Sequence, residues 1–184
     1  MAGISKPQEK SPVMDRAAWV AAALKMLAKN GIDGVRVEVL ARKLGVTKGS
    51  FYWHFKDRPD LYDAMLEHWR QHVVTQIIDR LNAIDLPQER YHCMMRLPFD
   101  RHRPDFDMEL AIRLWARRDE RAAAALAVAD ETRIQFIVDV LVAAGAPSAS
   151  ARSRAVLIFS FLRVGAPFAD EFTLAQCEEL LIAP

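Results

Sequence analysis

The chain has 184 residues, enough to bury a sizeable core in one domain or two small ones, and is 52% hydrophobic and 27% charged. A net charge of +1 argues against an indiscriminate nucleic-acid binder, and no apolar run approaches the ~20 residues that a membrane span needs. The charge is unevenly placed: residues 1–58 carry 11 Lys/Arg against 5 Asp/Glu, a balance of +6, and residues 59–184 carry 14 against 19, a balance of −5. A basic head on an acidic body is the distribution expected when one end meets DNA and the rest does something else.

Residues 1–11 are polar and predict a flexible tail, with Lys6 and Lys10 either solvated or serving as an arm. A first helix is expected from Pro12 to Asn30, closed by Gly31, with Trp19, Ala23 and Leu27 on one apolar line beside Val20 and Leu24. Leu40, Ala41 and Leu44 share a face of a second, short helix. Gly45 permits a sharp turn, and Thr47 is placed to cap a third helix that opens with Lys48, Gly49 and Ser50. Helix, tight turn and second helix is the helix-turn-helix plan, with the start of the second helix facing base edges; an ordinary helical hairpin has the same outline.

Pro59 suits the first turn of a fourth helix reaching about Ala83, where Leu61, Met65, Trp69, Val73, Ile77 and Leu81 recur at i, i+4 over roughly 37 Å. Further helices are expected from Pro87 to about Leu97 and from Asp105 to Arg118, separated by a turn-rich loop over 98–104. A long helix capped by Asp119 ends at Gly145. Another follows Pro147–Ser148 to about Ala166, and a last one, capped by Thr173, ends near Ile182. The expected fold is all-α, with about nine helices.

The segment GVTKGSFYWHFKDR resembles the recognition segment of the tetracycline-repressor (TetR) family of bacterial transcription regulators, and AAALKMLAKNGIDGVRVEVLARKL resembles the two helices before it. The resemblance covers roughly Trp19 to Glu67. One residue departs from it: Arg36 stands where the family places a capping Ser or Thr, and Asp33 replaces that cap only if the helix starts earlier. The resemblance implies a DNA-binding domain over 12–58 and an effector-binding and dimerisation domain over 59–184. Its expected partners are a double-stranded operator, a second copy and an unknown small molecule. The implied function is sequence-specific regulation, with repression as the family's usual outcome.

On that basis Lys48, Gly49 and Ser50 are the base-reading candidates, and Thr47, Tyr52, His54 and Lys56 the phosphate-binding ones. Trp53 either touches a thymine methyl or sugar or packs inside; Phe51 and Phe55 belong to the core. Arg42 and Lys43 are backbone contacts or a solvated face. The family's effector pocket points to Met65, His68, Trp69, Met94, Phe99, Leu110, Arg113, Leu114, Trp115 and Phe136. Its dimer face points to Ala155, Val156, Ile158, Phe159 and Leu162 on one helix and Phe172, Leu174, Cys177, Leu180 and Leu181 on the next.

Catalysis is not expected. His92 and Cys93 are helix neighbours that point apart, and GVTKGS lacks the order of a phosphate loop and follows a helix. A metal-responsive regulator is the alternative, because His68 and His72 stand at i, i+4, with His92, Cys93 or His102 to complete a set. No cofactor is implied. Cys93 and Cys177 form no metal or redox pattern; with no signal peptide evident, reduced thiols in a cytoplasmic protein are expected.

Overall fold

The computed structural model describes residues 15–99, 105–164 and 170–183. Among these residues the chain forms nine helices and no strand, as the sequence led one to expect. They are α1 (Arg16–Asn30), α2 (Val37–Leu44), α3 (Lys48–Phe51), α4 (residues 58–82), α5 (Pro87–Met95), α6 (Asp105–Ala116), α7 (Glu120–Ala143), α8 (Ser148–Val164) and α9 (Glu171–Ile182). The chain divides into two compact units, one ending at Met65 and the other beginning at Leu66, so the division falls inside α4 rather than at 58/59. The tail over 1–11, Pro12, residues 100–104 including His102, and the stretch around Ala166 lie outside the described residues.

In the first unit α1 begins at Arg16, later than expected, because Asp15 is extended (φ −90°, ψ 173°) and its Oδ1 accepts from the Ala18 N–H at 2.8 Å. Trp19, Leu27, Leu40, Phe51 and Phe55 are buried almost completely. Phe51 is the hub of this packing. It meets Trp19 edge-on at 5.4 Å and stacks on Phe55 at 5.2 Å. Helix α2 starts only at Val37, with Arg36 at the cap position making no side-chain bond and Asp33 lying in a separate 3-10 turn, Ile32–Gly34. It stops in a Schellman turn at Gly45 (φ 70°, ψ 27°). There the Val46 N–H donates to the Ala41 carbonyl at 3.0 Å and the Gly45 N–H to that of Arg42 at 3.3 Å.

The second unit is organised on α7, which packs against α5, α6, α8 and the middle of α4. Asp119 caps α7 as expected, accepting from the N–H groups of Arg121 and Ala122, and a second Schellman turn closes it at Gly145 (φ 103°). The expected cap of α9 is corrected: Asp170, not Thr173, is the cap, and the Thr173 N–H donates to its Oδ1 at 2.7 Å. Helix α4 is not uniform either. It runs as an α-helix over Arg58–Trp69, widens to a π-helical stretch over Arg70–Thr75, and tightens again over Gln76–Asn82.

Candidate nucleic-acid interface and interior cavity

Helix α3 is one turn long; the chain then bends through Tyr52–His54 instead of continuing as a helix. That bend decides which side chains face out. Phe51 and Phe55 point inward, and between them Trp53 is 87% exposed, with Tyr52 and Lys56 exposed as well. Of the two roles open to Trp53, packing inside is therefore excluded. Lys48, Gly49 and Thr47 are exposed, and Ser50 and His54 are half-buried. The expected Thr47 side-chain cap is absent: its carbonyl, not its hydroxyl, accepts from the Ser50 N–H, at 3.0 Å.

Three residues that sequence reasoning missed hold this surface in place. Arg16 donates to the His54 carbonyl at 2.7 Å and to Asp60 Oδ1 at 2.9 Å, and its guanidinium lies 4.4 Å over the Phe55 ring. Asp60 Oδ2 accepts from the Lys56 N–H at 2.9 Å, which stitches the Tyr52–Lys56 bend to the start of α4. Hydrogen bonds from Arg16 and the Lys56 backbone keep the Asp60 carboxyl below its ordinary pKa. The third residue is Glu38, whose Oε1 meets Lys48 Nζ at 2.6 Å. At the start of α4 two backbone donors are already occupied, since Asp60 accepts from the Lys56 N–H and Asp57 from the Asp60 N–H.

The second unit contains a cavity of about 60 Å³ lined mainly by apolar side chains of α4, α7 and α8. Of the expected pocket residues it brings together Met94 and Phe136 only. Trp69 is buried with the Arg133 guanidinium 5.5 Å over its ring; Trp115 is buried, and Phe99 packs at the edge of the core. Leu110 and Leu114 are corrected: both are half-exposed on α6 and neither lines this cavity. Met65 belongs to the first unit. His68 stacks on His72 with ring centroids 3.8 Å apart; burial and then the neighbouring ring depress its pKa.

A charged cluster that sequence reasoning did not find lies beside this cavity. Glu109, 6% exposed, accepts from Arg133 at 2.9 and 3.1 Å and pairs with Arg113 at 2.9 Å and Arg163 at 3.2 Å. Asp130 holds Arg113 through two bonds, 2.7 and 2.9 Å, and meets Arg133 at 3.3 Å. Burial tends to raise the Glu109 pKa, but the guanidiniums of Arg133, Arg163 and Arg113 outweigh it and the net shift is downward. Burial pushes Arg163 down to about 10, and its Nε is buried without a hydrogen-bond partner.

The metal alternative finds no support. No group of three or more His, Cys, Asp or Glu suited to an ion occurs among the described residues, and His92 is engaged with Glu178 at 2.8 Å. On the expected dimer face, Ala155, Ile158 and Leu174 are corrected to core residues of the second unit. Phe159, Leu162, Cys177 and Leu181 are half-buried against that core. Phe172 and Leu180 on α9 are 71% and 74% exposed, and Val156 and Leu157 on α8 are exposed as well. No helix among the described residues is long and apolar enough to cross a membrane.

A short helix ended by a left-handed glycine turn, followed by a one-turn helix with an exposed lysine and a bend with two exposed aromatics, defines a helix-turn-helix unit. The sequence model of bacterial regulatory proteins of the tetR family matches residues 20–65. The Escherichia coli tetracycline repressor protein class D is 40% identical over 52 residues, 28% of this chain and 24% of that protein. The chain therefore matches about a quarter of the length of that curated relative. A putative fatty acid metabolism regulator of Clostridium perfringens superimposes with a TM-score of 0.69 at 16% identity, over 90% of this chain and 96% of that one. A putative transcriptional regulator of Saccharomonospora viridis, in complex with choline, gives 0.66 at 16% identity, over 90% and 92%. Over residues 20–65 the chain is thus similar to the regulatory proteins of the TetR family.

Proposed function

We propose that this protein is a transcriptional regulator, acting as a repressor, that reads duplex DNA with Lys48, Gly49, Ser50 and Trp53. Thr47, Tyr52, His54 and Lys56 fix its position on the phosphates. The observation that carries this reading is the exposure of Trp53 and Tyr52 between the buried anchors Phe51 and Phe55. A soluble protein gains nothing from presenting two such rings to water, whereas a groove offers them sugar and methyl surface. An operator is first obtained by selection from random duplexes. Lys48→Ala and Tyr52→Ala then abolish binding in gel shifts with helix content intact; affinities equal to the parent's would exclude these roles.

One head contacts too few base pairs for genomic specificity, so two copies on a near-palindrome complete the proposal. Phe172 and Leu180, with Val156 and Leu157, supply apolar surface for that pairing. Light scattering of the parent gives a dimer and of Leu180→Asp a monomer; a parent that is monomeric at micromolar concentration overturns it. The second unit then serves as an effector domain. A small molecule with different affinity for the DNA-competent and incompetent states shifts the population off the operator. The neighbour solved with choline supports such a role. Operator affinity unmoved by a molecule proven to bind the second unit would contradict it.

A further inference from the structure

The ion cluster next to the cavity does not balance. Among the described residues it holds three guanidiniums, Arg113, Arg133 and Arg163, and two carboxylates, Glu109 and Asp130, which leaves one positive charge in a largely buried setting. The carboxylate oxygens are already shared: Glu109 Oε1 alone meets all three arginines. The shortfall falls on Arg163. It makes one ion pair through NH1 at 3.2 Å, lies 4.6 Å over the Phe159 ring, and has no partner for its buried Nε. A buried charge with an unmet donor is costly, and an anion that supplies the missing acceptor offsets that cost on binding.

Arg163 and the better-compensated Arg133 both line the cavity, and the rest of the wall is apolar, including Val73, Val74, Ile77 and Phe136. We propose that the cavity takes a small monocarboxylate carried on a short aliphatic chain, with its head on Arg133 and Arg163 and its chain among those four side chains. This rests on the reading of the second unit as an effector domain and specifies the chemistry of its ligand. A carboxylate matches the planar guanidinium fork. A single negative charge cancels the surplus, whereas a phosphate dianion would replace it with a surplus of the other sign. The volume of about 60 Å³ sets the size, well short of the 300 Å³ and more of a drug-sized pocket.

The test is calorimetric titration of the full chain with saturated monocarboxylates of increasing chain length and, in parallel, their primary amides. The acids bind and the amides do not, with affinity rising and then falling as the chain outgrows the cavity. Arg163→Met weakens acid binding roughly tenfold or more, and Arg163→Lys restores part of it. Amides binding as well as acids, or no acid binding up to millimolar concentration, overturns the inference on the parent protein alone. The same panel run against the selected operator separates the two claims. Neutral molecules that release DNA while acids do not would remove the anionic ligand and keep the effector domain. Acids that bind but never change operator affinity would do the reverse.

Discussion

Glu38 Oε1 on α2 lies 2.6 Å from Lys48 Nζ at the first position of α3, so the lysine best placed to reach a guanine is already paired with a carboxylate. Their hydrogen bond is the main cause of both a raised pKa at Lys48 and a lowered one at Glu38, so both stay charged near neutral pH. On the proposed reading, DNA would have to displace Glu38 or tolerate a negative charge beside its own. The pair would then act as a filter that only a well-competing base edge opens.

Glu38→Gln removes the competitor and leaves the shape. Affinity for random duplex then rises several-fold and discrimination between operator and random sequence falls, as read by fluorescence anisotropy at two salt concentrations. The melting midpoint stays where it was, because an exposed ion pair contributes little to stability. Unchanged discrimination would show that the pair has no part in reading.

Arg16 is not among the expected DNA contacts, yet it ties the His54 carbonyl and Asp60 together. Arg16→Met keeps the stem over Phe55 and removes the three-way tie. Operator affinity drops roughly tenfold, the worth of one charge-assisted bond in ordering the bend. The slope of affinity against salt stays the same, because no phosphate contact is lost. A flatter slope would instead mark Arg16 as a phosphate ligand.

Gly49 separates folding from binding. A Cβ built there meets only Thr47 Oγ1, at 3.6 Å, which is ordinary contact, and its backbone is helical. Gly49→Ala consequently leaves the protein as stable as the parent or more so, by up to about 1 kcal/mol from helix propensity. Operator binding falls if this face meets the groove floor. A variant that binds as the parent does moves the point of closest approach elsewhere.

Glu109 is the buried carboxylate expected to contribute to the pH dependence of the second unit. Its folded pKa lies below the ordinary 4.5, so its stabilisation is fully present above that value and is lost as pH falls through the folded one. Urea midpoints of the parent accordingly decline below about pH 4.5. Glu109→Gln strands three guanidiniums with one carboxylate and costs about 3 kcal/mol at neutral pH, with a shallower acid decline. An acid limb identical in variant and parent would place the titrating group elsewhere.

Features set by local chemistry were legible in the chain. The Trp19, Ala23 and Leu27 stripe, the glycine turns at Gly31 and Gly45, Pro87 at a helix start and the Asp119 cap each depend on neighbours a few residues away. Long-range pairings were not legible. Glu109 and Arg133 are 24 residues apart, and an arginine on an amphipathic helix looks solvated until a buried carboxylate is known to face it. Leu110 and Leu114 show the converse, since periodicity assigns a face and not which way it turns. Thr47 and Thr173 failed as caps for a different reason. The one-turn α3 bonds to a backbone carbonyl, and Asp170, three residues upstream, claimed the Thr173 N–H first.

The widened stretch Arg70–Thr75 changes how the wall of the second unit is assembled. Within it Val73 and Val74 are both buried and both border the cavity. Excising a single position from that stretch would tighten the coil, swing one valine out to solvent and turn every later side chain of α4 by about a quarter of a revolution, although composition would hardly change.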